Sequence, residues 1–174
     1  MTPEFSRPIE AETISEGPRE LEIGADAEER RKLAGRFRLQ ALHKLTARIK
    51  LSRRAGIIHA DGEVEAAVVQ SCVVTTDPVA AKLRAPLSVR YVPDAYTASA
   101  EDERELSAEE CDTLPIEDGK IDLGELAAET LALALDPFPR SAGADEALKE
   151  IGLADAHPGP FAALKSLKDQ MDES

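Results

Sequence analysis

At 174 residues and 18.7 kDa the chain is long enough for one domain that buries roughly two-thirds of its unfolded surface. Aromatic residues are 3% of it, with no Trp, so any core must be aliphatic, and the formal net charge of −13 argues, taken alone, against a nucleic-acid partner. No apolar run approaches the roughly 18 residues of a membrane helix, the first residues lack a basic-then-apolar leader, and two cysteines do not make a disulfide scaffold, so a soluble cytoplasmic protein with no membrane partner is expected.

Residues 1–22 carry Pro3, Pro8, Gly17 and Pro18 and leave room for one short strand, around Phe5–Ile9 or Leu21–Ile23. Asp26-Ala27-Glu28-Glu29 is a capping-box pattern, which predicts a helix over about 27–39 with Leu33, Ala34 and Phe37 on one face. Leu45, Ala47, Ile49 and Leu51 alternate with Thr46, Arg48, Lys50 and Ser52, a period of two that predicts a strand with one buried and one basic face. Asp61-Gly62 is a turn signal, so a hairpin is expected there, followed by a long strand from Glu63 to Thr76 that Asp77-Pro78 ends. A third strand over 83–92 alternates Leu83, Ala85, Leu87, Val89 and Tyr91, and Pro86 either places it at an edge or limits its start.

The stretch from Pro93 to Pro115 is acidic and reads as a solvated loop or a short unstable helix. Asp122 and Glu125 form a second capping-box pattern, opening a helix whose stripe is Leu123, Leu126, Ala127, Leu131 and Ala134, widened by Leu133 and Leu135 and stopped at Asp136-Pro137. Ser141–Ala144 reads as a linker, 145–151 as a short helix, and 160–170 as a last helix with Phe161, Leu164 and Leu167 on one face. The expected fold is α+β: a mostly antiparallel sheet, open or barrel-like, packed by two or three helices. Residues 1–140 form its single domain, with an acidic loop at 94–118. Residues 141–174 add a linker and short helices.

Little in this sequence points to catalysis or metal binding. His43, His59 and His157 lie far apart, Cys72 sits among valines, and Cys111 is flanked by Glu110 and Asp112, a setting that disfavours a thiolate. Asp118–Glu125 matches the second half of a calcium-binding EF-hand loop, but Leu114 and Ile116 stand where the first oxygen ligands belong, so it reads as a turn and a helix cap. No catalytic residue, metal or cofactor is expected.

Charge is strongly segregated. Residues 30–54 hold ten bases (Arg30, Arg31, Lys32, Arg36, Arg38, Lys44, Arg48, Lys50, Arg53 and Arg54) and no acid, whereas 94–129 hold thirteen acids and two bases. The basic set is a candidate RNA-binding surface that would touch phosphate without reading bases. Glu101, Asp102, Glu103, Glu105, Glu109 and Glu110 are a candidate surface for a basic protein. The plainer alternative is a basic face neutralised by the chain's own acidic loop.

The segments Ala66–Val79 and Ile121–Arg140 resemble the large ribosomal RNA subunit accumulation protein family, known as YceD in bacteria, in the layout of its alphaproteobacterial branch. Phe5-Ser6-Arg7-Pro8, Ala25–Arg30 and Pro160–Leu164 extend the resemblance over nearly the whole chain. It implies a non-enzymatic factor needed for accumulation or processing of large-subunit rRNA or its precursor. It names no active site, and the cysteine cluster that many relatives carry after the leucine-rich helix is missing from Asp136–Asp145. Combined with the charge map, it suggests rRNA contact through the basic helix-strand segment; the alternative is an acidic, chaperone-like module that holds a basic large-subunit ribosomal protein.

Overall fold

The computed structural model describes residues 3–93 and 113–151. In chain order they form β1 (Pro8–Glu10), a 3-10 turn (Ala11–Thr13), β2 (Arg19–Gly24), α1 (Ala27–Arg36), β3 (Ala41–Arg54), β4 (Ile57–Ser71), β5 (Pro78–Val92), β6 (Thr113–Pro115), β7 (Lys120–Asp122), α2 (Leu123–Ala134) and α3 (Ala144–Glu150). The main sheet runs β2-β3-β4-β5-β6, antiparallel except for the β5–β6 pair, and β1 pairs with β7 as a separate two-stranded sheet. The fold is α+β, and among the described residues the sheet stays open rather than closing into a barrel.

The period-two pattern sets the sheet's faces. Leu45, Ala47, Ile49 and Leu51 of β3 and Ile58, Ala60, Val64, Ala66 and Val68 of β4 are buried on one side, in register with Leu83, Leu87 and Tyr91 of β5. Leu33 and Ala34 of α1, Leu123, Leu126, Ala127, Ala128 and Leu131 of α2, and Phe5 close that side into one cluster. Each fully buried Leu, Ile or Phe stabilises this arrangement by about 1.5–3 kcal/mol. Leu133 is an exception to the expected stripe: it is 90% exposed, because the buried arc of α2 is filled by Leu126, Ala127 and Leu131.

α1 starts where its capping box predicts. Asp26 Oδ1 accepts from the Glu28 and Glu29 N–H groups, and the Glu29 carboxylate accepts in return from the Asp26 N–H. The helix ends at Arg36, short of 39, because Arg38 takes a left-handed φ of 55° and the Leu39 and Arg38 N–H groups close back on Ala34 and Gly35.

The hairpin between β3 and β4 turns at Ala55-Gly56, whose φ values of 49° and 82° give the primed turn that suits strand twist, and not at Asp61-Gly62. Gly62 lies inside β4, where a Cβ would sit 2.0 Å from the Arg48 carbonyl oxygen, so the glycine permits a close backbone approach. β4 stops at Ser71, not Thr76: Cys72–Asp77 fold into a turn closed by Cys72 N–H to Asp77 C=O, and Pro78 begins β5 five residues ahead of the expected start. The N-terminal segment holds two strands, β1 and β2, where one was expected, and β6 and β7 are additional. Asp122 caps α2 by accepting from Gly124 and Glu125, but Glu125 does not reciprocate, since its carboxylate is engaged by Arg36.

Candidate nucleic-acid interface

The ten bases of residues 30–54 do not share one role. Three serve the fold. Arg30 donates to the Ala25 carbonyl at 2.7 Å. Arg36 holds Glu125 at 2.6 and 3.0 Å and Glu4 at 3.0 Å, contacts that push its pKa further up. Arg53 donates to the carbonyls of Ile14 and Ala11, fastening the N-terminal segment to β3. Three more sit in exposed pairs: Lys32 with Glu28, Lys44 with Glu65, and Arg48 with Glu22 at 3.5 Å. Arg31, Arg38, Lys50 and Arg54 are exposed and have no ion pair or side-chain hydrogen bond among the described residues. Lys50 and Arg54 belong to the hairpin end of β3; Arg38 precedes its other end. A 14-residue strand is about 45 Å long, so the two sets are well separated.

Register explains why the basic face of β3 is not a basic surface. Glu22 and Glu20 of β2 stand opposite Arg48 and Lys50, and Glu65, Glu63 and Asp61 of β4 stand opposite Thr46, Arg48 and Lys50. Lys82 and Arg84 follow on β5, with Arg84 bonded to Glu65 at 2.6 Å. The outer side of the sheet thus carries alternating columns of acid and base. Lys44 and Arg84 together hold the Glu65 carboxyl below its usual pKa. Among the described residues the acids beside this strand come from the neighbouring strands, a source that the segregated sequence conceals, whereas the acidic loop lies outside the described residues. Around Gly62, Glu20, Glu22, Asp61 and Glu63 outnumber Arg48 and Lys50 on the rim of an open depression of about 720 Å³.

A second constellation escaped sequence reading as a site. Arg7 forks onto both oxygens of Glu29 at 2.7 and 3.0 Å and donates to the carbonyls of Ser6 and Gly24. Asp122 accepts from the Arg7 N–H at 2.7 Å and from the Ser6 hydroxyl while capping α2. The Arg7 fork holds the Glu29 carboxyl below its ordinary pKa. Gly124 allows this approach, since a Cβ there would meet the Phe5 carbonyl oxygen at 2.5 Å. Phe5–Pro8, Asp26–Glu29 and Ile121–Glu125 are therefore one junction in space. Their signal in the sequence was two capping boxes and an arginine before a proline, which does not by itself say that they meet.

Cys72 lies in the β4–β5 turn, not mid-strand, and is buried. The Ser141 hydroxyl and the Val74 and Thr75 N–H groups point at its sulfur at 3.4–3.5 Å, and hydrogen bonding from Ser141 and Thr75 pulls its pKa down to about 6 against the opposing effect of burial. Asp118 and Gly119 make a tight turn with φ of 48° and 71° ahead of β7, as the turn-and-cap reading expects. Among the described residues no group of three or more His, Cys, Asp or Glu is placed to hold a metal ion, and no helix is long and apolar enough to cross a membrane. Glu101, Asp102, Glu103, Glu105, Glu109 and Glu110 lie outside the described residues, as do Cys111, His157 and the expected helix at 160–170.

Residues 60–168 match the family model described as large ribosomal RNA subunit accumulation protein YceD. No curated protein and no solved structure matches the chain. The matched span begins within β4, so β1, β2, α1 and β3 fall outside it, although the Arg7 junction and the sheet register bind them to it.

Proposed function

Because the chain belongs to the YceD family of large ribosomal RNA subunit accumulation proteins, we propose that it is a non-enzymatic, cytoplasmic binding factor in assembly of the large subunit, and that it touches rRNA or its precursor directly. The observation that carries the RNA reading is the division of the basic residues. Arg31, Arg38, Lys50 and Arg54 are exposed without partners among the described residues, whereas Arg30, Arg36 and Arg53 are committed to the fold. Free cationic groups suit phosphate contacts, which position a protein on RNA without reading sequence. With aromatic residues only 3% of the chain, stacking on single-stranded bases is not the mode.

The test replaces Arg31, Lys50 and Arg54 by Gln and Arg38 by Gly, the last chosen because its φ of 55° suits glycine. Affinity for large-subunit rRNA should fall, and the slope of log K against log salt should flatten by about 3, at roughly 0.7–0.9 for each phosphate that is no longer neutralised. Unchanged affinity and slope overturn the RNA contact. The rim of Glu20, Glu22, Asp61 and Glu63 favours a second reading, in which the acidic side holds a basic large-subunit ribosomal protein. In that case removing residues 97–112, or replacing these four acids by their amides, abolishes capture of the basic protein while RNA affinity is unaffected.

A further inference from the structure

Where β6 joins the end of β5, a hollow of about 180 Å³ opens between those strands, β7 and the first turns of α2. Tyr91 and Leu114 stand opposite each other in the β5–β6 pair, and both line it, with Leu126 of α2 completing the apolar part. The rest is charged: Glu117, Asp122, Glu125 and Glu129 against one base, Lys120. Three of these five are already committed. Asp122 caps α2 and accepts from Ser6 and Arg7, Glu125 is held by Arg36, and Lys120 pairs with Glu10 at 3.2 Å. Glu117 and Glu129 have no side-chain hydrogen bond or ion pair among the described residues. Partial burial, and then the neighbouring Glu125, raise the Glu129 pKa, as befits a carboxylate short of a positive partner.

Tyr91 is a second, independent sign. It is only 5% exposed, yet its hydroxyl has no hydrogen-bond partner among the described residues, although a buried phenol ordinarily finds one. Every described polar side-chain atom sealed from solvent does have a partner, so this hydroxyl is reached through the hollow. Burial, and then the charges of Glu129 and Asp122, push its pKa up, which places it beside two of the carboxylates on the same wall. The hollow is smaller than the roughly 300 Å³ at which small-molecule sites begin. At ~30 Å³ per water it holds about six, the bulk of one long side chain. Its carboxylates are not gathered closely enough to hold a metal ion. We propose that it receives an arginine side chain of a basic polypeptide. The guanidinium lies between Glu117 and Glu129 and donates to the Tyr91 hydroxyl, with its methylenes against Leu114 and Leu126. A planar fork of donors serves two carboxylates and a hydroxyl at once, which the point charge of lysine does not. The proposal rests on the second reading above for its class of partner and adds a contact on different elements, β5–β7 and α2 instead of β2–β4.

Titrating the blocked pentapeptide Gly-Arg-Gly-Arg-Gly into the isotope-labelled full chain, followed by amide chemical shifts, tests this. The amides of Tyr91, Leu114, Glu117, Leu126 and Glu129 should shift along one saturating curve. Glu129→Gln should raise Kd at these amides several-fold. So should Tyr91→Phe, which keeps the ring in the core and removes only the hydroxyl. Before peptide is added, the amides of β3 should match the parent in both variants and report an intact fold. The acidic peptide Gly-Glu-Gly-Glu-Gly should leave the cluster unmoved. No shift at the cluster, or the same Kd there in the parent and either variant, overturns the proposal. Saturating shifts confined to Glu20–Glu22 and Asp61–Glu63 overturn the hollow while the reading of a basic partner stands; no saturating shift anywhere on the chain overturns both.

Discussion

Arg7 and Gly62 each fix a close approach between segments distant in sequence. Arg7 makes both bonds to Glu29 with that carboxylate largely shielded, and the depressed pKa of Glu29 turns the pairing into a pH dependence. A carboxyl with a lowered folded pKa stabilises fully above its unfolded value, here 4.5, and the contribution fades as pH falls through the folded value. Arg7→Met should therefore cost about 1–2 kcal/mol at pH 7, discounted for the partial exposure of Arg7. The gap between variant and parent in denaturant melts should narrow below pH 4.5; a gap that stays constant down to about pH 3 would show that the ion pair contributes nothing. At Gly62 the obstacle is backbone: a Cβ 2.0 Å from the Arg48 oxygen cannot be relieved by a rotamer change. Gly62→Ala should destabilise by on the order of 3 kcal/mol, against about a few tenths for Gly143→Ala, where nothing lies within 4 Å. Equal melting of the two variants would mean that β3 and β4 separate freely there.

Among the elements, β5 carries a telling weakness. β4 covers one side of it throughout, but β6 covers the other only at Arg90–Val92, which leaves a long edge among the described residues. Pro86 sits in the middle of that edge, where it offers no N–H donor, and Lys82 and Arg84 add charge beside it. These are the features by which edges resist pairing with another chain. Pro86→Val should accordingly raise association at high concentration, seen by sedimentation velocity as larger species than the parent forms; identical profiles would show that the edge is guarded by other means. The cap of α1 and the buried faces of β3 and β5 were legible, because each is a local pattern read within a few residues, whereas Pro86 left open an edge or a limit on the strand's start, and β5 in fact begins at Pro78. The hairpin was not legible. Asp61-Gly62 is the stronger turn pair by composition, and only tertiary packing shows that this glycine is needed for close approach while Ala55 accepts a positive φ. β6 and β7, at three residues each, are too short to carry a period.

At the scale of the molecule, the basic stretch of the sequence is largely neutralised by acids of other described elements. Residues 30–54 contain no acid, yet their strand lies between two acidic ones. This follows from register alone: Arg48 stands opposite both Glu22 and Glu63 and is paired with Glu22. Sequence could show that a basic stretch exists but not which of its members remain free. Of that stretch, what survives is a small set of cations, Arg31, Arg38, Lys50 and Arg54, unpaired among the described residues, on a molecule of net charge −13. Such a molecule should bind RNA weakly except where those few groups meet phosphate, and its affinity should depend steeply on salt. The most direct test is to crosslink the tagged protein in its own cells, purify it under denaturing conditions, and sequence the attached RNA alongside the same experiment on the variant lacking the four free bases. Direct phosphate contact predicts large-subunit rRNA enriched at a defined site and absent from the variant. Recovery of a basic ribosomal protein with no crosslinked rRNA, equal in parent and variant, would overturn it.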